Sequence, residues 1–310
     1  MMWSDLEHRV HKFLKQRAAE GSQYFVALSG GVDSVALLFL LKRIRLPVRA
    51  LHCHHGNGVN QDFRDRSVVF CKNLCEQLEI PIFIFKSEKA LSSEEEMREF
   101  RYGIMLDFVK AQEGGVLLTA HHLEDQLETR LLRLLRGTGH QGLVGVQEQR
   151  GELLRPLVGV SKQALISYIQ SHKVEFLEDP SNLQNDYARN WVRNELLPFL
   201  EAKMPGVSGS LARSLETLVE EWKTVSEKSL MEQNSEWDIE GISRGFYLSL
   251  SREEQKSLLA QYLLSLGKSD FSQGQVIEIT KLLDKVQNEH TFTVAGLVWQ
   301  VNAGQIKVVK

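Results

Sequence analysis

The chain is short of cysteine and proline, and it lacks any long hydrophobic run. Three cysteines and six prolines stand among 310 residues, which excludes a disulfide mini-scaffold and a collagen and indicates a reducing compartment. The longest apolar run, residues 35–41, has seven residues, whereas a membrane-spanning helix needs about 18 or more. We therefore expect no membrane span.

The sequence also lacks a large excess of one sign of charge, since its formal net charge at pH 7 is −3. A protein that simply coats nucleic acid is expected to be basic, so any contact with nucleic acid must come from local patches. Residues 1–16 are charged and amphipathic and lack the apolar core of a signal peptide. Together with the few cysteines, this predicts a cytoplasmic protein.

The composition, 43% hydrophobic and 25% charged, is that of a soluble globular protein with one large domain or two ordinary ones. In the first half, short apolar runs alternate with amphipathic segments. The runs predict strands at residues 24–28, 48–53, 82–85 and 116–120, and the segments predict helices at residues 3–20, 34–44, 67–78, 94–110 and 123–135. This alternation predicts an α/β fold, a parallel sheet with helices on both faces.

The pattern changes after residue 137, where glycines cluster in a loop. Further segments predict helices at residues 162–172, 190–200, 252–266 and 275–286, and strands at residues 291–294, 297–301 and 306–309. Pro205 and Gly206 form the best linker candidate. We therefore predict two domains, a catalytic domain at residues 1–205 and a smaller α+β domain at residues 206–310.

A glycine-containing loop lies directly between the first predicted strand and its helix. It consists of Ser29, Gly30, Gly31, Val32, Asp33 and Ser34. Its glycines let the backbone approach a ligand, and the N–H groups at the start of the following helix face an anion. The chain contains neither the lysine-bearing phosphate loop nor the dinucleotide signature. A carboxylate at Asp33 beside phosphates requires a cation between them, which predicts Mg²⁺.

A second group of polar residues follows the fourth predicted strand. On a helix that begins near residue 122, His121, Asp125 and Glu128 lie on or near one face. Because the carboxyl ends of parallel strands are where open α/β sheets bind ligands, these side chains are candidates for phosphate, metal or amine contact. Arginines at positions 130, 133 and 136 then form a basic stripe along the same helix.

Three histidines at the end of the second predicted strand allow two interpretations. His52, His54 and His55 are either packing or solvent-facing histidines at a strand end, or they contact a metal or a nucleotide. The sequence does not decide between the two.

The loop resembles the pyrophosphate loop of the PP-loop ATPases, also called N-type ATP pyrophosphatases. The stretch from Ala120 to Gly139, AHHLEDQLETRLLRLLRGTG, resembles the tRNA(Ile)-lysidine synthetase family within that superfamily. Other stretches match that family in the same order, so that the resemblance covers about residues 24–200. They are Ser92-x-Glu94-Glu95 with Arg98, Arg101 and Tyr102; Arg155-Pro156-Leu157; and residues 178–182 followed by Arg189, Asn190, Arg193 and Pro198.

The chain departs from the family pattern at three places. After His55-Gly56 the family usually continues with Leu-Arg, but here residues 57–60 follow and the first basic residue is Arg64. Glu124 stands where the family often has Asp, and Trp191 and Asn194 stand where further basic residues are common. Without basic residues at positions 191 and 194, part of the contact with tRNA is expected to be weaker or to lie elsewhere.

The resemblance implies a PP-loop catalytic domain and a smaller C-terminal domain that assists tRNA recognition. It also implies an enzyme that uses ATP and Mg²⁺ to join L-lysine to C2 of the wobble cytidine of tRNA(Ile) with a CAU anticodon. The cytidine is adenylated first, and lysidine, AMP and pyrophosphate are the products. The oligomeric state stays open, with a homodimer among the alternatives.

The resemblance also implies roles for individual residues. Residues 29–34 would bind ATP, Asp33 would also organise the metal, and His121 and Asp125 would join Asp33 in catalysis. Lysine and substrate binding falls to Arg101, Asp125, Glu128 and Arg193. Contact with tRNA falls to Arg133, Arg136 and Arg189.

Two other classes of protein remain as alternatives. A tRNA 2-thiolation enzyme of the same superfamily uses paired or persulfide cysteines, but Cys71 and Cys75 have the wrong spacing for such a pair and Cys53 lies in a predicted strand. A non-catalytic tRNA-binding relative would be expected to lack Asp33, His121 or Asp125, and all three are present. An ammonia-dependent NAD synthetase fits by length but not by its motifs.

Overall fold

The computed structural model describes residues 3–56, 60–89, 91, 93–138, 140–178, 188–231, 237–268, 271–285 and 289–309. The chain divides into two compact units, residues 1–126 with 146–194 and residues 127–145 with 195–310. The domain division at residues 205 and 206 stays a prediction. The motif residues Ser92, Gly139 and 179–182 lie outside the described part of the chain.

The first unit is built on a mostly parallel sheet. Its elements are α1 (Asp5–Arg17), β1 (Gln23–Ala27), α2 (Val32–Arg43), β2 (Val48–His54), α3 (Gln61–Gln77), β3 (Ile82–Lys86), α4 (Glu94–Lys110), β4 (Gly115–Leu118), α5 (Leu123–Leu135), β5 (Gln149–Arg150), β6 (Leu153–Leu154), α6 (Lys162–Ser171) and α7 (Ala188–Trp191). All of α5 after its first turn is part of the second unit. Among the described residues the strand order is β3-β2-β1-β4-β6-β5, and only the β5–β6 pair is antiparallel.

Both faces of this sheet are covered, as the sequence predicts. Side chains alternate along β1, so Val26 packs into one apolar cluster and Phe25 into another. Helix α2 is apolar on nearly every side and packs into the first cluster with α6, because a helix without a polar face must be buried. Helices α1 and α4 each begin with a capping box, at Ser4 and Ser93.

The second unit combines helices with a small antiparallel sheet. After a 3₁₀ turn (His140–Val144) and a π-helical turn (Val192–Leu196) come α8 (Leu197–Lys203), α9 (Val207–Met231), β7 (Trp237–Asp238), β8 (Gly241–Ser243), α10 (Arg244–Ser249), α11 (Arg252–Ser265), α12 (Gln273–Lys285), β9 (His290–Val294), β10 (Leu297–Val301) and β11 (Gln305–Val309). The strand order among described residues is β7-β8-β11-β10-β9. Trp299 and Tyr262, both fully buried, lie in its core.

Several boundaries differ from the sequence prediction. Helix α3 begins at Gln61 rather than at residue 67, because its exposed first turns carry little apolar periodicity. The β5–β6 hairpin and strands β7 and β8 have two or three residues each, too few to show an alternating pattern. Within the described residues, no helix is long and apolar enough to cross a membrane.

Candidate active site

The glycine-containing loop lies between β1 and the N-terminus of α2, where the sequence places it. Gly30 has a positive φ of 91°. A Cβ atom there would lie 3.3 Å from Phe70 and from the Ser67 hydroxyl. Only glycine therefore fits this position without strain or crowding.

Hydrogen bonds fix the shape of this loop. The Ser34 hydroxyl donates to the Gly31 carbonyl at 3.0 Å and accepts from the Ser29 amide at 3.1 Å. The Ser67 hydroxyl donates to the Ser29 carbonyl at 2.7 Å, and the Leu177 amide donates to the Gly30 carbonyl at 2.9 Å. Gly31 stands at the N-cap of α2 without a side-chain cap, so the first N–H groups of the helix are available to an anion.

Asp33 stands in the first turn of α2, and its side chain is 28% exposed. Its Oδ1 atom is buried and has no hydrogen-bond partner among the described residues. Burial raises the pKa of Asp33 from its usual value, while the nearby charge of His122 acts in the opposite direction. An acceptor with an open lone pair beside a phosphate site fits a bound Mg²⁺, which takes one or two carboxylates together with phosphate oxygens.

His122 lies at the centre of three carboxylates. Its Nε2 atom is 3.6 Å from Oδ2 of Asp33 and 3.4 Å from Oδ2 of Asp125, and its Nδ1 atom is 2.9 Å from Oε2 of Glu124. The side chain is only 3% exposed. Both ring nitrogens face groups that only accept hydrogen bonds, which favours the doubly protonated imidazolium.

The electrostatics of this cluster agree with that geometry. Burial lowers the pKa of His122, but the hydrogen bond to Glu124 and the charges of Asp125 and Asp33 outweigh it, so the net pKa is raised. Burial raises the pKa of Glu124, but hydrogen bonds from His122 and the Lys162 amide lower it overall. The Lys162 amide is 2.9 Å from Oε2 of Glu124, which connects the cluster to the start of α6.

Asp125 is held on both oxygens. Its Oδ1 atom accepts from Arg189 at 2.9 Å and from Arg193 at 3.4 Å, and its Oδ2 atom accepts from the His122 amide at 3.0 Å. Burial alone would raise the pKa of Asp125, but the positive charges of His122 and Arg189 lower it. The structure therefore brings together Asp33, Asp125, Arg189 and Arg193, four of the residues singled out in the sequence.

His121 points to a different partner from its neighbour. Its Nδ1 atom is 3.0 Å from the hydroxyl of Thr119. Burial holds the pKa of His121 well below its usual range, and Arg155 and Arg189 lower it further against the opposing charge of Asp125. The imidazole is therefore neutral at pH 7.

Arg101 lies on α4, with its guanidinium 5.5 Å from the ring centre of Tyr102. Burial lowers the pKa of His55 to about 4, and the positive charge of Arg101 contributes to that shift. Arg101 is thus close to the carboxyl end of β2, the edge at which an α/β sheet binds ligands.

The remaining predicted residues, Glu128, Arg133 and Arg136, belong to the second unit. Glu128 is 1% exposed. Arg133 donates to the carbonyl of Gly142 at 2.7 Å, so it holds its own loop, whereas Arg136 is exposed.

For His52 and His54 the structure favours a packing role over contact with a metal or a nucleotide. Nδ1 of His52 is 2.8 Å from the Leu28 carbonyl, and Nε2 of His54 is 2.9 Å from Asp65. Both are buried, which favours the packing role. In the described part of the chain, no three or more His, Cys, Asp or Glu side chains are arranged to hold a metal ion.

Sequence reasoning did not single out His122, Glu124 or Arg155 as site residues. The signal for His122 was the second histidine of a pair between a strand and an acidic first helical turn. Arg155 follows β6 directly, and this strand is too short for its carboxyl end to be located from sequence.

Comparison with known proteins identifies the family of this domain. Residues 2–200 match the PP-loop domain family, which defines the chain as a PP-loop protein. The U34-tRNA thiolase NcsA from Methanococcus maripaludis, with its [4Fe-4S] cluster, has a similar fold, with a TM-score of 0.55 and 18% identity over 70% of this chain and 78% of that chain.

Curated relatives show which family of PP-loop proteins the chain resembles. The chain is 46% identical to a tRNA(Ile)-lysidine synthase of Bdellovibrio bacteriovorus over 98% of this chain and 97% of that protein. It is 32% identical to the tRNA(Ile)-lysidine synthase of Actinobacillus pleuropneumoniae over 87% of this chain, and it spans 64% of that longer protein. The chain belongs to the tRNA(Ile)-lysidine synthase family.

Proposed function

We propose that this protein ligates L-lysine to C2 of the wobble cytidine in tRNA(Ile) with a CAU anticodon, using ATP. The observation that carries the proposal is the single cluster in which His122 joins Asp33 of the phosphate loop to Asp125. We assign Asp33 to ATP and Asp125 to a cationic substrate. Membership of the lysidine synthase family supports the choice of substrate. We place the reaction in the cytoplasm.

The first half of the proposed reaction adenylates the cytidine. The C2 oxygen attacks the α-phosphorus of ATP, and pyrophosphate leaves. The N–H groups at the start of α2 would bind phosphate oxygens. Asp33, whose buried Oδ1 atom has no described protein partner, would hold a Mg²⁺ ion, and such an ion would supply screening of the phosphate charge.

The second half transfers the amine. The ε-ammonium of lysine first loses a proton to solvent, because only the neutral amine has a lone pair. That amine attacks C2, the C2–O bond breaks, AMP leaves, and the nitrogen gives up a second proton to solvent. His121, whose pKa burial holds well below its usual range, takes part as an uncharged hydrogen-bonding partner beside the reacting groups. Asp125 attracts the lysine ammonium, and the resemblance to the family implies lysine binding by Glu128 as well.

Positive side chains would hold the RNA. Arg189 and Arg193 lie beside Asp125 and are suited to anticodon phosphates or the base, as is Arg101. Arg133 and Arg136 would contact the tRNA backbone. An anticodon base is unpaired and can enter such a site without opening a duplex.

The cysteines argue against the alternative of tRNA thiolation. Burial raises the pKa of Cys53 and of Cys71 to about 12 and that of Cys75 to about 11. A sulfur carrier needs an accessible thiolate, and these thiols are protonated at pH 7.

The two half-reactions can be separated experimentally. With α-labelled ATP, Mg²⁺ and a CAU transcript of tRNA(Ile) but no lysine, label should become attached to the tRNA. Asp33→Asn should abolish this labelling. Asp125→Asn should retain it and fail to release AMP when lysine is added. Release of AMP without any transfer of label to tRNA, even transiently, would contradict the proposed order.

A further inference from the structure

Two donors from outside the phosphate loop hold two successive carbonyl groups of that loop. The hydroxyl of Ser67, on α3, donates to the Ser29 carbonyl at 2.7 Å. The Leu177 amide donates to the Gly30 carbonyl at 2.9 Å, and Leu177 also pairs with Gly31 in an isolated parallel β-bridge. The orientation of both peptide groups is therefore set by neighbouring parts of the first unit.

These contacts determine where the next two N–H groups point. The described peptide bonds of the loop are planar and trans, so the carbonyl of one residue and the N–H of the next point in opposite directions. Because the Ser29 carbonyl is turned toward α3, the Gly30 N–H points away from α3. Because the Gly30 carbonyl is turned toward Leu177, the Gly31 N–H points away from Leu177.

The Gly30 N–H lacks a protein partner. Gly30 is buried, and among the described residues no group accepts a hydrogen bond from its amide. Buried N–H groups without a partner are rare, because the hydrogen bond to water is lost and not replaced. The Gly31 N–H has only a 3.4 Å contact with the Ser29 hydroxyl. Successive N–H groups of this kind can bind one anion together.

The peptide group between Ser29 and Gly30 has a competing orientation. Gly30 has a φ of 91°, and glycine adopts positive and negative φ about equally readily, so rotation of this peptide group meets little steric resistance. After rotation, the Ser29 carbonyl oxygen would replace the Gly30 N–H and would repel a phosphate. The Ser67 hydrogen bond favours the orientation that presents the N–H.

Packing holds Ser67 in place for this contact. The residue is 4% exposed, and Phe70 and Cys71 lie three and four residues further along the same face of α3. A Cβ atom at Gly30 would lie 3.3 Å from Phe70 and from the Ser67 hydroxyl, and 3.4 Å from Cys71. The loop thus lies directly against this face of α3, and Ser67 supplies a polar contact within it.

We propose that Ser67 is a positioning residue for phosphate binding, which directs the Gly30 N–H at the phosphate groups of ATP through its hydrogen bond to the Ser29 carbonyl. The inference rests on the proposed function for the use of ATP and goes beyond it in assigning a role to α3. Ser67 itself does not contact the ligand. Leu177 provides a similar contact through its backbone amide, which a side-chain substitution leaves in place.

The test measures binding of ligands with and without phosphate groups. In Ser67→Ala the dissociation constants of ATP and of pyrophosphate, each with Mg²⁺, should rise by about 3- to 10-fold, the range expected for loss of one hydrogen bond. The dissociation constant of adenosine, which has no phosphate, should stay unchanged. Calorimetric titration without tRNA or lysine gives all three constants. In steady-state assays the KM of ATP should rise, while kcat at saturating ATP should be largely retained.

Two further variants separate positioning from a general effect of a lost hydroxyl. Ser67→Thr keeps the hydroxyl and should restore the affinity for ATP and pyrophosphate. The matched control is Thr280→Val. Thr280 is also 4% exposed, and its hydroxyl donates to the Val276 carbonyl at 2.9 Å within α12 of the second unit. Removing this buried hydroxyl should leave all three constants unchanged.

Each remaining outcome decides a separate point. Unchanged constants for ATP and pyrophosphate in a folded Ser67→Ala protein would overturn the inference, and so would an equal loss of adenosine binding. If thermal melting shows that Ser67→Ala does not fold, Ser67→Cys replaces it. The thiol is a weaker donor, so this variant should weaken ATP and pyrophosphate together and spare adenosine, and unchanged affinities would again overturn the inference. Failure of the unaltered protein to bind ATP would instead reject the proposed function.

Discussion

The Nε2 atom of His122 lies 3.6 Å from Oδ2 of Asp33, although the two residues are on different elements of the sheet edge. Asp33 opens α2 directly after the phosphate loop, and His122 precedes α5. The same nitrogen lies 3.4 Å from Asp125. One buried imidazole thus fixes the separation of the carboxylates that we assign to the two halves of the reaction.

This contact predicts a difference between two substitutions of His122. The amide nitrogen of Gln reaches the position of Nε2, whereas that of Asn reaches the position of Nδ1. His122→Asn should lower kcat by at least about 100-fold, because Asp33 and Asp125 lose their shared donor. His122→Gln should recover much of that loss.

The measurement is steady-state lysine incorporation, with thermal melting as the check on folding. A His122→Asn protein with normal kcat would show that the imidazole does not position the carboxylates. Equal losses in the two variants at equal stability would show the same.

The positive φ of Gly30 predicts a selective effect of Gly30→Ala. The added Cβ would meet Phe70 and Ser67 at 3.3 Å, which shifts the loop backbone that we assign to phosphate binding. We expect the KM for ATP to rise by about tenfold or more, together with a loss of about 1–3 kcal/mol in stability. Lysine affinity should change little.

Gly21 provides a matched control for this prediction. It also has a positive φ, of 81°, but a Cβ there would meet nothing within 4 Å. Gly21→Ala should show the backbone strain without the effect on ATP. An equal change in the KM for ATP in both variants would contradict the assignment of the loop.

Buried Glu7 predicts acid sensitivity of the first unit. It accepts from the Ser4 amide at 2.6 Å, from Arg43 at 2.9 Å and from Tyr168 at 2.8 Å, which connects α1 to α2 and α6. Burial raises the pKa of Glu7, but these hydrogen bonds outweigh it and lower the pKa to about 2. A lowered pKa contributes stability that is present above 4.5 and is lost as the pH falls toward 2.

Glu7→Gln should therefore lower the thermal midpoint at pH 7 and flatten its dependence on pH below 4.5. Glu79→Gln is the control, because Glu79 is 88% exposed and its pair with Lys42 is a surface pair, worth about 0–1 kcal/mol. An unchanged pH profile in Glu7→Gln would show that another carboxylate carries the acid sensitivity.

The basic stripe on α5 predicts unequal roles for its arginines. Arg130 is buried and pairs with Glu216 at 2.7 Å, and Arg133 holds a loop carbonyl. Arg136 is exposed. Arg136→Gln should weaken tRNA binding and should reduce the slope of log binding constant against log salt concentration by about one released counterion. The thermal stability of the protein should stay unchanged. Arg130→Gln should destabilise the second unit. Filter binding across salt concentrations measures the first effect, and an unchanged slope would remove Arg136 from the interface.

Much of this molecule could be predicted from its sequence. The bounds of α4 and α5 agree with the prediction, since a long apolar period and clear start signals define them. Asp33 and Asp125 could be connected through the rule that ligands bind at strand ends. The central position of His122 could not be predicted, because the side-chain directions of two adjacent histidines depend on how β4 ends. The position of Arg155 could not be predicted either, because the preceding strand β6 has only two residues and therefore shows no alternating pattern.

The measurement that tests the account most directly is incorporation of labelled L-lysine into a CAU transcript of tRNA(Ile), with ATP and Mg²⁺. Asp33→Asn and a methionine tRNA with the same anticodon are the controls. We predict incorporation that requires ATP and Asp33 and spares the methionine tRNA. No incorporation of lysine, together with AMP formation when a sulfur donor or ammonia is supplied instead, would contradict the proposed function and leave only the PP-loop fold.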